Sequence, residues 1–229
     1  MMKRTAEVKM DQLFDANSIR LPFRSDLHLM RKVWHMGMGL FIVYLYLLGV
    51  PQSTALIILS TSLVLDLVVE NARIRNPAIN EKILRYWSAV MRSHELRQMS
   101  TIPHYLAAVI LAIGIFPKPV AVLSILYLAC GDPIASLFGI LYGHLGPRFK
   151  NGKSLIGSLA GVLCCTGISL IYLSSLGVTH SVGSWLIVSL LGGLVGGLTE
   201  MIPFDIDDNF TIPVVSGFAL WMLFILFRF

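Results

Sequence analysis

Charge is scarce in this sequence. Of its 229 residues, 14% are Asp, Glu, Lys or Arg and 55% are hydrophobic, whereas a soluble domain carries about a quarter charged residues. That shortage excludes an ordinary soluble fold. Cysteine is nearly missing too: Cys130, Cys164 and Cys165 all sit inside apolar runs, so no framework of structural disulfides is expected. There is no HExxH and no paired Cys/His set, which argues against a zinc site. No secretory leader is expected either. Residues 1–32 carry Glu7, Asp11, Asp15 and Asp26, and no short apolar core precedes a small-residue cleavage site.

What is present is a series of apolar runs long enough to cross a bilayer, which takes about 20 residues per helix. Seven spans can be drawn, at about 33–50, 53–70, 100–116, 119–142, 155–176, 184–200 and 210–227. The third is short and contains Pro103 and His104. The expected fold is therefore all-α, a polytopic membrane helix bundle of about seven transmembrane helices. Residues 1–32 form a cytoplasmic or interfacial segment, in which Met10, Leu13, Phe14, Ile19 and Leu21 could lie on the membrane surface. Residues 33–229 form a single transmembrane catalytic domain. Proline-marked turns at Val50-Pro51-Gln52 and Phe116-Pro117-Lys118-Pro119 predict antiparallel hairpins.

The few charges are sorted along the chain. Seven Lys or Arg residues lie in 1–32, six in 71–99 and three in 143–154, which leaves only Lys118 and Arg228 elsewhere. With seven spans, all three basic segments face the cytoplasm and the C-terminus lies on the opposite side. The net charge of +5 thus reflects membrane orientation, and no nucleic-acid partner is expected.

Gly131-Asp132-Pro133 interrupts the fourth span. An ionised carboxylate in hydrocarbon costs at least about 2.5–3.5 kcal/mol and is usually functional. Asp is a favoured helix cap and Pro a favoured first helical residue. A broken span is therefore expected, one half ending near Cys130 and a new helix starting at Asp132 with its free N–H groups offered to an anion. A structural kink with a capped aspartate is the plainer alternative. Asp132, Ser136, Gly139 and Gly143 share one face at helical spacing. Together with Gly131 they would let a nucleotide approach, although Gly139-x-x-x-Gly143 equally suits close helix packing.

Three further groups carry potential chemistry. The run ending Gly152-Lys153-Ser154 departs from a phosphate-binding G-x-x-x-x-G-K-[ST] loop, because Gly146 lies one residue too far away and position 147 is proline. It still combines a glycine backbone, a lysine point charge and a helix-capping serine, which can hold phosphate. Glu200, Asp205, Asp207, Asp208 and Asn209 form an oxygen-rich stretch suited to Mg²⁺, which takes one or two carboxylates plus substrate phosphates. A solvated acidic turn would look the same. Arg31, Lys32 and His35 fall on one helical face, where a positive anchor with a snorkelling histidine is the alternative to a site. Asp66, Glu70 and Arg73 form a stripe at i, i+4 and i+7 that an intramembrane salt bridge explains. Glu95 is ambiguous, and His28, His94, His104 and His180 follow no pattern.

In order, RKVWH (31–35), SHEL (93–96), GDPIASLFGILYG (131–143), GKSLIGSLAG (152–161) and EMIPFDIDDNFTIP (200–213) resemble the CTP-dependent lipid alcohol kinases, the group of dolichol kinase, phytol kinase and yeast-type diacylglycerol kinase. The resemblance covers about residues 31–217. It implies transfer of the terminal phosphate of CTP to a lipid hydroxyl with a divalent cation. It also implies roles for Arg31, Lys32, Asp132, Gly139, Lys153, Ser154 and the group Asp207-Asp208-Asn209. One departure is Ile156, where the family carries glutamate in a Lys-Ser-x-Glu-Gly run.

The reading that follows is a lipid kinase using Mg²⁺ and CTP. Asp132, Lys153, Arg31, Lys32 and His35 carry the chemistry. Gly131, Ser136, Gly139, Gly143, Gly152, Lys153 and Ser154 hold the nucleotide, and Asp132, Asp207, Asp208 and Asn209 the metal. The base is open among Asp132, Asp208 and His35, and the acceptor among diacylglycerol, a polyprenol and phytol. The partners are a nucleotide triphosphate and a lipid alcohol, with a homo-oligomer left open. Phosphatidate cytidylyltransferases share a similar Asp/Gly…Lys half, but their C-terminal Gly-His-Gly-Gly stretch is missing. A small-solute transporter would also place an acid on a broken helix.

Overall fold

The computed structural model describes residues 29–87, 90–91, 95, 98–149, 151–176, 181–199, 201 and 207–229. The expected interfacial helix near residues 10–21, Lys150, His28, His94, His180 and the acidic residues Glu200 and Asp205 lie outside them. In chain order the helices are α1 (Leu29–Leu47), α2 (Gln52–Arg75), α3 (Pro77–Trp87), α4 (Ile102–Ile115), α5 (Lys118–Leu126), α6 (Asp132–Leu141), α7 (Leu155–Ser175), α8 (Val182–Thr199) and α9 (Asp208–Phe227). A π-turn, Tyr127–Gly131, joins α5 to α6. No strand forms among the described residues. The protein is an all-α membrane helix bundle.

Burial is inverted relative to a soluble protein. Leu163, Ile171, Met222 and Leu226 on the outer faces of α7 and α9 are each more than 60% exposed, an apolar surface that only lipid covers without cost. The stretch Lys118–Leu141 is the exception, two-thirds buried inside the bundle. Val120, Ala121, Val122, Leu123 and Ile125 are completely buried, which makes α5 the central post. Helices α1, α4, α7 and α9 pack against it. Among the described residues, five helical stretches are long and apolar enough to cross a membrane, and α4 is a shorter apolar helix.

Helix α8 packs tightly on α7 because glycines line the contact. A Cβ at Gly197 would collide with the backbone of Val162, and one at Gly193 with Thr166. Van der Waals packing of small residues is the principal force between helices once lipid replaces water. Gly197→Ala is expected to cost about 1–3 kcal/mol through overpacking, read as a lower melting midpoint in detergent. Gly167→Ala is the control, since a Cβ there meets nothing within 4 Å, and its midpoint should not fall.

Part of the 71–99 region is helical, as α3. Asn76 Oδ1 accepts from the Ala78 N–H at 3.0 Å, and Pro77 opens α3, a cap and first-turn pair that starts a helix. Behind it lies a buried ionic network. The Arg73 guanidinium donates to both Glu70 carboxylate oxygens at 2.8 and 2.7 Å. It donates also to the Glu95 and Gln98 carbonyls at 2.8 and 2.7 Å, while Glu70 accepts from the Ser100 N–H. A buried ion pair is tolerable only when its remaining donors and acceptors are met in this way. The network fixes the end of α2 to the segment that enters α4. The expected stripe therefore divides: Glu70 and Arg73 pair, and Asp66 stands apart with Oδ2 buried and unpartnered among the described residues.

The two proline-marked turns behave differently. α4 and α5 pack against each other, whereas α1 and α2, although joined by the turn at 48–51, hardly touch along their length. The predicted hairpin is splayed.

Candidate active site

The interruption at Gly131-Asp132-Pro133 falls where the sequence places it, but its form differs. The helix does not stop at Cys130. Asp132 keeps helical angles (φ −61, ψ −49), and its N–H donates to the Tyr127 carbonyl five residues back. A π-turn absorbs the missing N–H of Pro133, a common device at functional sites. Asp132 is thus no helix cap, and no half-helix N-terminus is offered to an anion. What the π-turn frees is a carbonyl. The Asp132 N–H goes to Tyr127 and Pro133 has none, so Leu128 O has no partner in its own helix. His35 takes it, with Nε2 3.2 Å away. A carbonyl only accepts, so Nε2 carries a proton, and in a neutral ring the lone pair is then on Nδ1. The Asp132 carboxylate makes no hydrogen bond among the described residues, and it lies close enough to His35 to interact with it electrostatically.

The loop between α6 and α7 folds into a tight hairpin. The Phe149 N–H donates to the Lys153 carbonyl at 2.8 Å, and the Leu155 N–H to the Pro147 carbonyl at 3.0 Å. Gly152 turns the chain with φ +81, a left-handed conformation that favours glycine. Arg148 Nη1 donates to the Gly152 carbonyl at 3.1 Å. Ser154 ends the hairpin and caps α7, its Oγ accepting from the Gly157 N–H at 3.0 Å. Close approach of α6 and α7 brings this hairpin beside Asp132. A Cβ at Gly157 would lie 2.5 Å from the Ala135 carbonyl oxygen.

The third contributor is the start of α9. Asp207 caps it, its Oδ1 accepting from the Asn209 N–H at 2.9 Å and from Asn209 Nδ2 at 2.7 Å. The next residue, Asp208, pairs across the site with Lys153, Oδ2 to Nζ 2.8 Å. Residues 55 apart in sequence are joined by this one contact.

These parts enclose a cavity of about 550 Å³. Lys32 and His35 come from α1, Asp132, Ser136 and Gly139 from α6, Gly152, Lys153 and Ser154 from the hairpin, and Asp207, Asp208 and Asn209 from α9. Arg31 lines it too, but its guanidinium is already engaged. Nη1 pairs with Glu95 at 3.1 Å and Nη2 donates to Thr101 Oγ1 at 2.6 Å. Arg31 therefore reads as the tie between α1 and the start of α4 more than as a phosphate ligand, and Glu95 gains a partner that its sequence context did not reveal. Gly131 and Gly143 stand outside the cavity. A Cβ at Gly131 would meet Cys165 Sγ at 2.6 Å, and one at Gly143 would meet Ser154 Cβ at 2.9 Å, so both are packing positions. Arg148 and Asn151 line the cavity without having been singled out. In the sequence Arg148 counts only among the basic residues of 143–154, and Asn151 carries no signal of its own. Ile156, at the position of the family glutamate, packs over Gly146 and does not line the cavity.

The donor set suits a metal that arrives with its substrate. Among the described residues no group of three His, Cys, Asp or Glu stands ready to hold a cation, so a cage built wholly of protein is absent there. Asp132, Asp207 and Asp208 nevertheless face one cavity. One or two carboxylates completed by phosphate oxygens is what Mg²⁺ ordinarily takes.

No protein-family model matches the chain, and no solved structure matches it. Curated relatives do. It is 35% identical to the CTP-dependent diacylglycerol kinase 1 of Eremothecium gossypii across 82% of this chain and 64% of that protein. It is 32% identical to the Saccharomyces cerevisiae protein of the same name across 82% of this chain and 70% of the relative. The Schizosaccharomyces pombe protein is 29% identical across 84% of this chain and 92% of its own length. The match thus spans just under two-thirds of the Eremothecium protein. With the lysine hairpin and the acids of α6 and α9 facing one another, the chain belongs to the family of CTP-dependent lipid alcohol kinases.

Proposed function

We propose that the protein moves the terminal phosphate of CTP onto the hydroxyl of diacylglycerol, giving CDP and phosphatidate, at the cytoplasmic face of the membrane. One observation carries this reading. A lysine hairpin, a capping serine and three carboxylates from distant parts of the sequence line a single cavity at the end of an apolar bundle. Phosphoryl transfer asks little covalent work of a protein and depends on positioning and charge.

Lys153 and the hairpin backbone bind the nucleotide phosphates and stabilise charge on the transferring group. Asp132, Asp207 and Asp208 are the residues that would hold Mg²⁺, which when bound neutralises the triphosphate. The acceptor oxygen attacks the terminal phosphorus as the bond to the bridging oxygen of CDP breaks, and the hydroxyl proton must leave. His35 is placed to take it, since its Nε2–H is committed to Leu128 and Nδ1 is the nitrogen with a lone pair.

Purified protein given γ-labelled CTP, Mg²⁺ and diacylglycerol should place the label in lipid. Label in pyrophosphate with phosphatidate as acceptor would instead mark a cytidylyltransferase. Label in neither would leave the site without phosphotransfer and overturn the proposal.

A further inference from the structure

A second cavity, of about 620 Å³, opens where α1 and α2 splay apart. Its walls are Met38 and Ile42 of α1 and Leu59 and Ser62 of α2, with α4 behind them. Phe41, Ile58 and Leu65 line it and are each more than half exposed, so the groove is open sideways to whatever surrounds the bundle. In a membrane protein that is hydrocarbon. Its size is that of a ligand site. Arg31 and His35 line both this groove and the polar cavity, so the two spaces meet at the histidine.

The groove is not uniformly apolar. Tyr105 lines it and is 7% exposed, yet its hydroxyl has no hydrogen-bond partner among the described residues. The Tyr105 ring stands edge-on to His35 with centroids 4.7 Å apart. Its hydroxyl sits over Gly39, where an added Cβ would come within 2.5 Å. Asp66, another residue lining the groove, has an Oδ2 with no partner among the described residues. Buried polar atoms are nearly always satisfied, and each one left unmet costs free energy. The Tyr105 hydroxyl, beside His35, is a donor without an acceptor among the described residues, and it calls for an occupant with an accepting oxygen just below the hydroxyl that receives the phosphate. Glycerolipids have ester carbonyls there. A polyprenol has only hydrocarbon.

We infer that this groove seats the acceptor lipid, its hydroxyl at His35 and its chains between α1 and α2, and that the Tyr105 hydroxyl selects a glycerolipid by donating to an ester carbonyl oxygen. The inference rests on the kinase reading for the identity of the hydroxyl, but the groove can be tested without turnover. A diacylglycerol carrying a diazirine in one acyl chain, photolysed with the wild-type protein in micelles, should label α1, α2 or α4. Label confined to the outer faces of α7 or α8 would overturn the groove. Tyr105→Phe keeps the ring and removes the donor. It should raise KM for diacylglycerol about tenfold and leave KM for CTP unchanged. An unchanged diacylglycerol KM would overturn the role given to Tyr105. If the wild-type protein transfers no phosphate to any lipid, the kinase reading fails by itself, while the position of the photolabel still decides the groove.

Discussion

Asp132→Asn is expected to lower phosphate transfer by about 10³-fold or more, the scale on which a single charge acts on a transferring phosphoryl group, and to leave the fold intact or slightly more stable. The two signs have separate causes. The carboxylate lines the nucleotide cavity and makes no hydrogen bond among the described residues, so the amide removes a charge without breaking an internal contact. An ionised acid in a helix that crosses hydrocarbon is a standing cost, and neutralising it relieves that cost. Backbone geometry should persist, because Asp132 is held by its N–H to Tyr127, which asparagine retains. Turnover with γ-labelled CTP and the melting midpoint in detergent measure the two effects. A residue that merely shaped a kink would give the opposite pattern, with activity retained and the midpoint lowered. That result would remove Asp132 from the site.

The helical framework was legible because lipid enforces it. Apolar runs of span length have few other fates, and helices form at each of the seven predicted spans. The form of the interruption at Asp132 was less legible. Asp-Pro is a strong start signal in water-exposed helices, but inside a bundle a free helix end would expose several N–H groups. A π-turn leaves just one carbonyl to satisfy, and His35 satisfies it. Helix α3 was hidden for a compositional reason. Six basic residues in 71–99 read as a cytoplasmic loop and masked the Asn76-Pro77 start. The meeting of Lys153 and Asp208 could be anticipated only as two groups on one membrane face, since nothing local in either segment specifies the other. The splay of α1 and α2 had no sequence signal, because a tight proline turn fixes connectivity and not packing. Of the site residues, those marked by charge or capping line the cavity. The glycines divided by which neighbour they face, a tertiary fact that spacing does not encode.

The Lys153–Asp208 pair makes the second large prediction and tests how the site works. In the structure these two charges satisfy each other at 2.8 Å. In the proposed reaction they have different tasks, Lys153 on the phosphates and Asp208 on Mg²⁺. Binding Mg²⁺ with CTP would then draw each of the two charges to a group of opposite sign on the nucleotide complex. Lys153→Met should lower kcat/KM for CTP by about 10²–10³-fold, the range for loss of one preorganised group facing developing charge. Asp208→Asn should instead raise the Mg²⁺ concentration needed for half-maximal rate. The double variant decides between the two roles the pair can have. If Lys153 serves only to neutralise a partly buried Asp208, removing both charges should restore much of the activity lost with either, as expected when the penalty is an unpaired ion. If each residue handles its own part of the nucleotide complex, the double variant should be at least as impaired as Lys153→Met alone. Recovery in the double variant would show the pair to be structural, and the phosphate-binding charge would then have to come from another cavity residue such as Lys32 or Arg148.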